Sequence, residues 1–213
     1  MRQDRRLSTS HGVTTVLADE QVAAWQQDRR TWAEQRPISA ALAEPLAIVA
    51  VDEPWLTTAT TDGRRLMFRP AWSAGLGEQQ RRQVQEHLVW HAAAGDYRAC
   101  HHESPHRWHL ACDHTINAQL LQLGAALPAE AVLFPAAITW RREEVYAWLE
   151  EHPWPEAEHP ADQLYGQIER APAVQDLEKL RIEWQRHIRG VVKHYLSTHW
   201  LPDGVAAWLL RRE

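Results

Sequence analysis

Two consecutive helical segments in the middle of this chain carry polar stripes that neither could bury alone. Residues 81–94 contain no Pro or Gly and read as a solid helix. Within it, His87-Leu88-Val89-Trp90-His91 sets two imidazoles at i and i+4, on one helical face. Val84, Leu88 and Trp90 supply its buried contacts. The next segment opens at Ser104-Pro105, a capping hydroxyl followed by a proline at the first helical position, and runs to Gly124. Along it His109, Asp113 and Asn117 step by four, with His106 a turn earlier, while Trp108, Ala111, Cys112, Ile116 and Leu120 form the more apolar remainder. Burying such a stripe is costly unless its groups find partners. A metal ion would supply them, and so would hydrogen bonds to the neighbouring helix. For a metal, His87 and His91 are the first ligands and Asp113 the natural third. His109 is then a fourth ligand or a group that orients the others.

A literal H-E-x-x-H string occurs elsewhere, at His102-Glu103-Ser104-Pro105-His106. That motif works when both histidines share the face of one continuous helix, with the Glu beside them to accept a proton. Pro105 cannot donate to the carbonyl of His101 and pushes Ser104 out of the helical region. This string is therefore expected to be a loop running into a helix start.

Composition bounds the setting. The 213 residues, 45% of them hydrophobic, are enough for one domain with a real core. A net charge of −5 gives no sign of the basic face that nucleic acid requires, and no nucleic-acid partner is expected. With 12 Trp against 2 Phe, indoles must fill much of the core. The two cysteines, Cys100 and Cys112, cannot build a disulfide framework. Met1–Ser10 lacks the apolar stretch of a signal peptide, and no apolar run is long enough to span a membrane. The expectation is a cytoplasmic protein without a membrane segment.

The remaining pattern predicts a mostly helical α+β fold. Residues 1–17 read as a loose N-terminal segment. A helix is expected from Ala18 to about Gln35, with Val22, Trp25 and Trp32 at helical spacing and Pro37 as its stop. Leu46–Val51 suits a short strand. Leu56–Thr60 and Leu66–Phe68 flank Thr61-Asp62-Gly63-Arg64, a hairpin signal that predicts a small antiparallel sheet. Beyond the pair of helices come a helix at Arg141–Glu151 and a Pro-rich linker at 153–160. Residues 161–213 form a helical extension. Its stripe Leu177, Leu180, Trp184, Ile188, Val191 and Tyr195 belongs in the same core as residues 18–152, and a last short helix spans Gly204–Arg211.

Taken together, these residues resemble a known family: the metal-dependent peptidase domain that precedes a von Willebrand A-like domain in many bacterial proteins, often encoded beside MoxR-type ATPases. The family has a small hairpin, then a helix with H-E-x-x-H, then a helix reading W-N-x-A-x-D-x-x-I-N, a leucine pair, Gly and Pro. Here the hairpin is Trp55–Phe68, the metal helix His87–His91, and the second motif Trp108-His109-Leu110-Ala111-Cys112-Asp113-His114-Thr115-Ile116-Asn117, followed by Leu120-Leu121, Gly124 and Pro128. Glu143–Leu149 is similar to the family's next helix. The resemblance implies a zincin-like fold with the small sheet packed on the metal helix. It implies Zn2+ held by His87, His91 and Asp113, with Trp108, His109 and Asn117 around them. It also implies a peptide or protein partner, such as a MoxR-type ATPase or a von Willebrand A-like protein.

Two positions depart from the family. Leu88 stands where the catalytic Glu belongs, and His109 where Asn does. The chain also ends near where the A-like domain would begin. A leucine can neither accept the proton of bound water nor pass it on, a role worth about 100- to 10,000-fold. Three expectations follow. The first is a catalytically impaired, zinc-holding module that binds a peptide or protein. The second is an active hydrolase with a relocated base, Glu103 or His109. The third is a metal-free structural module in which the stripe is a hydrogen-bonded seam.

Overall fold

The computed structural model describes residues 5–98, 101–153, 162–163 and 174–211. Cys100 and nearly all of the expected 153–160 linker lie outside these residues, and 1–17 and 161–213 are covered in part. The elements are α1 (Arg5–Trp32), α2 (Pro37–Ala43), β1 (Ala47–Ala50), β2 (Ala59–Thr61), β3 (Arg65–Phe68), α3 (Pro70–Ser73), α4 (Glu78–Ala94), α5 (Pro105–Gln122), α6 (Arg142–Glu151), α7 (Val174–Tyr195) and α8 (Asp203–Leu210). The fold is mostly helical with one small sheet, as the periodicity predicts. Helix α1 starts well before Ala18. Pro37, expected only to end it, opens α2, where its missing N–H costs nothing.

The sheet corrects the sequence reading. Its order is β1-β3-β2; β2 pairs antiparallel with β3 around the Asp62-Gly63 turn, but β1 pairs parallel with β3, so the sheet is mixed. The physical reason is the connection. Residues 51–58 leave β1 and enter β2 at the same end of the sheet, so these two strands run oppositely. The hairpin has already placed β2 on one edge of β3, which leaves β1 the other edge and the parallel sense.

The turn is built tightly. Gly63 sits at φ +78°, and a Cβ there would lie 2.6 Å from the Tyr97 ring. Asp62 Oδ1 accepts from the main-chain N–H groups of Arg64 and Arg65. Trp184 on α7 donates its indole N–H to the Gly63 carbonyl at 2.8 Å. This ties α7 to the hairpin.

One apolar core joins these pieces. Trp25 of α1 stacks on Phe68 of β3 at 4.3 Å. Leu88, Val89 and Trp90 of α4 and Leu180, Trp184, Ile188 and Val191 of α7 are buried in the same cluster. Indoles do fill much of this core: Trp25, Trp32, Trp90 and Trp184 are all buried. A second cluster, including Leu110, Ala111, Phe134, Val145 and Leu149, holds α5 against α6. Between the two clusters, α4 and α5 lie side by side, which sets their polar stripes face to face.

Candidate metal centre

Local capping aims each side chain. Gln80 returns its Oε1 to the Gly77 N–H at the start of α4. The other end closes with Gly95 at φ +73°. There Asp96 N donates to His91 O and Gly95 N to Ala92 O, the paired bonds of a left-handed glycine cap. That cap folds Asp96 back onto the helix, where its Oδ2 accepts from His91 Nδ1 at 2.9 Å. Arg142 of α6 grips the other oxygen, Asp96 Oδ1, at 2.5 Å, and its guanidinium lies over the Trp108 ring at 5.3 Å. Trp108 therefore reaches His91 through Arg142 and Asp96. Helix α5 begins as expected: Ser104 Oγ accepts from Arg107 N, and Pro105 takes the first helical position. The His102–His106 string thus straddles a helix start.

The stripe residues meet. His87 Nδ1 faces Asn117 Oδ1 at 3.1 Å, and Asn117 spends its amide N–H on the Val132 carbonyl, so the Asn oxygen must accept from His87. With Nδ1–H committed on both rings, each histidine presents the Nε2 lone pair. The two Nε2 atoms lie 2.9 Å apart. Two lone pairs do not face each other at that distance without a cation between them, either a proton or a metal ion. Asp113 Oδ1 stands 3.6 Å from His87 Nε2 and 3.1 Å from His91 Nε2.

A further carboxylate, absent from the sequence reading, completes the group. Asp162 Oδ2 lies 3.2 Å from His91 Nε2. His87, His91, Asp113 and Asp162 offer ligand atoms that all lie within 4.8 Å of one another, a group that could hold a metal ion. Asp113 Oδ1 and Asp162 Oδ2 are buried yet make no well-directed hydrogen bond, although ring nitrogens are close. Four of the six separations, 2.9–3.6 Å, lie around the edge of about 3.3 Å that tetrahedral N/O ligation at roughly 2.0–2.1 Å implies. The donor set, two imidazoles and two carboxylates, suits a divalent ion and balances its charge. Each histidine also has the hydrogen-bonded partner that metal-bound imidazoles characteristically keep.

Other candidates are placed differently. His109 Nε2 bridges the outer side, 3.2 Å from Asp113 Oδ1 and 3.4 Å from Asp162 Oδ1. Burial would lower the pKa values of His91 and His109, but the surrounding aspartates outweigh it and hold both well above 6.5. Burial works against ionisation of Asp113 too, and the histidines overcome it. His114 is accounted for structurally, donating to the Ala137 carbonyl and accepting from Phe134 N. Glu103 is exposed on the loop before α5. Leu88 is 1% exposed and sits in the apolar core. Glu86 has its carboxylate bonded by Ser39 at 2.6 Å, with Arg36 at 3.9 Å. Burial, partly offset by these partners, raises its pKa.

Asp96 was legible in principle, since a Gly just past a helix end signals a cap that turns the next residue back. Asp162 was not, because a single Asp after a Pro-rich stretch carries no periodicity. A cavity of about 230 Å³ adjoins the group, with His87, Asp113 and Asp162 as well as Trp72, Leu76 and Leu127 in its lining.

No curated protein and no solved structure matches the chain. A family model does, over residues 20–172. That span begins within α1 and takes in the hairpin, both stripe-bearing helices and Asp162, so on its matched sequence as on its clustered donors this chain belongs to the family described as "Putative metallopeptidase domain".

Proposed function

We propose that this chain is a zincin-like domain that binds one Zn2+ through His87, His91, Asp113 and Asp162, is impaired as a peptidase, and serves in the cytoplasm as a peptide- or protein-binding module. The observation that carries the metal reading is the pair of Nε2 atoms 2.9 Å apart, beside two buried carboxylate oxygens that make no well-directed hydrogen bond. Zn2+ would supply Lewis acidity there. The impairment rests on the chain's own residues. Leu88 points into apolar core, Glu86 is tied to Ser39 and Arg36, and Glu103 is exposed on its loop. None is a free carboxylate beside the ligands. By resemblance, the partner is a MoxR-type ATPase or a von Willebrand A-like protein.

The metal-free reading has one observation in its favour. His109 lies between Asp113 and Asp162, and with protonated histidines the group would be a self-contained ion-pair seam. Elemental analysis of purified protein, with a peptide-cleavage assay run with and without chelator, separates the readings. The expected result is about one zinc per chain, by the four-ligand logic of such sites, and no chelator-sensitive cleavage. Zinc-free protein that cannot be loaded sinks the metal assignment. Robust chelator-sensitive cleavage, lost on Glu103→Gln or His109→Ala, would establish a relocated base instead.

A further inference from the structure

We propose that the outer edge of β2 is a rail for an extended peptide ligand, and that Asp162-Gln163 of this chain occupies it as a built-in competitor. Strand β2 ends the sheet, with β3 on one side only, and an edge strand offers unpaired N–H and C=O groups to any extended chain. Here Gln163 takes one carbonyl of β2 and main-chain groups just before the strand. Its main-chain N–H donates to the Ala59 carbonyl at 2.8 Å, and its own carbonyl accepts from the Thr60 hydroxyl. Its side-chain amide does what the next peptide group of an added strand would do. Oε1 accepts from Thr57 N at 2.7 Å, and Nε2 donates to the Trp55 carbonyl at 3.3 Å.

The neighbouring residue projects its carboxylate into the metal group. Anchoring Gln163 on the edge brings the adjacent Asp162 Oδ2 within 3.2 Å of His91 Nε2. The result is a four-donor set, the closed arrangement of structural zinc sites, whereas catalytic sites keep three protein ligands and an open position. Without Asp162, His87, His91 and Asp113 would make such a three-ligand site, directly beside a vacated strand edge. The ligand that fits is a peptide in extended form, bearing a carboxylate where Asp162 lies and main-chain amides where Gln163 pairs. An apolar side chain of the same peptide suits the adjoining cavity beside Trp72, Leu76 and Leu127.

This inference rests on the metal reading above, so the test reports on both. The full chain would be loaded with Co2+, and the probe is a synthetic peptide copying residues 158–167, alongside the same peptide with Asp162→Ala. A tethered competitor has an effective concentration in the millimolar range, so the Asp162→Ala/Gln163→Ala protein should bind the copy at least about 10-fold tighter than the wild type. The Co2+ absorption should change on binding, and the Asp162→Ala peptide should leave it unchanged. The single variant Gln163→Ala, which retains all four donors, should shift affinity in the same direction by less. If both proteins hold Co2+ but bind the copy equally, or neither binds it, the rail is wrong while the metal site stands. If neither holds Co2+, the metal reading and this one fall together.

Discussion

Asp96→Asn probes the centre without touching a ligand. The Asp96 carboxylate accepts from His91 Nδ1 at 2.9 Å on one oxygen and from Arg142 on the other, so the asparagine keeps the shape but loses the charge. The imidazole becomes a weaker donor through Nε2. Replacing a hydrogen-bonded partner of this kind lowers metal affinity about 10- to 100-fold, which at about 1.36 kcal/mol per decade is roughly 1.4–2.8 kcal/mol. Separately, Arg142, whose side chain is 15% exposed, loses its counter-charge. Breaking a buried pair costs about 3–5 kcal/mol. The residual exposure and the remaining amide oxygen reduce that to about 2 kcal/mol, or about 4–8 °C in Tm for a chain of this size. Competition with a chromophoric chelator measures the first effect, and thermal melting of metal-free protein the second. Arg142→Met is the control: it should lose comparable stability but less zinc affinity, because the carboxylate stays on His91. Zinc affinity unchanged within about twofold in Asp96→Asn would refute the claim that this carboxylate tunes the ligand, since the expected loss is at least about tenfold.

The remaining predictions concern pH, the lost glutamate and the hairpin. In metal-free protein the raised pKa values of His91 and His109 give stability that is present below about 6.5 and lost as pH rises through the folded values. The depressed Asp113 and Asp162 give stability present above about 3.9 and lost as pH falls through theirs. Metal-free Tm should therefore fall from pH 6 to pH 9, whereas zinc-loaded Tm should fall from pH 7 to pH 5 as protons displace the ion. Parallel profiles would show that zinc does not use these histidines. Stripping zinc at pH 7 should lower Tm by about 10 °C if the ion is held at about 1,000 times its Kd, a linkage worth about 4 kcal/mol. Leu88→Glu, at a position 1% exposed in apolar core, should destabilise by several kcal/mol without gaining cleavage. Chelator-sensitive cleavage at an unchanged Tm would contradict its placement. Gly63→Ala meets both a positive φ and the Tyr97 ring at 2.6 Å and should cost about 2 kcal/mol in urea unfolding. A loss under about 0.5 kcal/mol would refute the tight turn.

Local order in this chain was written locally. The i, i+4 spacing of His87 and His91, the Ser104-Pro105 start and the Asp62-Gly63 turn each act within a few residues, so the sequence alone determined α4, the beginning of α5 and the β2–β3 hairpin. It also determined that the polar stripe of His109, Asp113 and Asn117 needed a partner, because desolvation is a property of the residues themselves. Tertiary structure decided which atoms met. The parallel pairing of β1 came from where residues 51–58 could cross. The burial of Leu88 came from a cluster that α1, α2, the sheet, α7 and α8 assemble together with α4. Asp162 joined the histidines because Gln163 found the edge of β2, more than a hundred residues earlier in the chain. Contacts between distant segments depend on which surfaces the whole fold leaves free, and no spacing along the sequence records that.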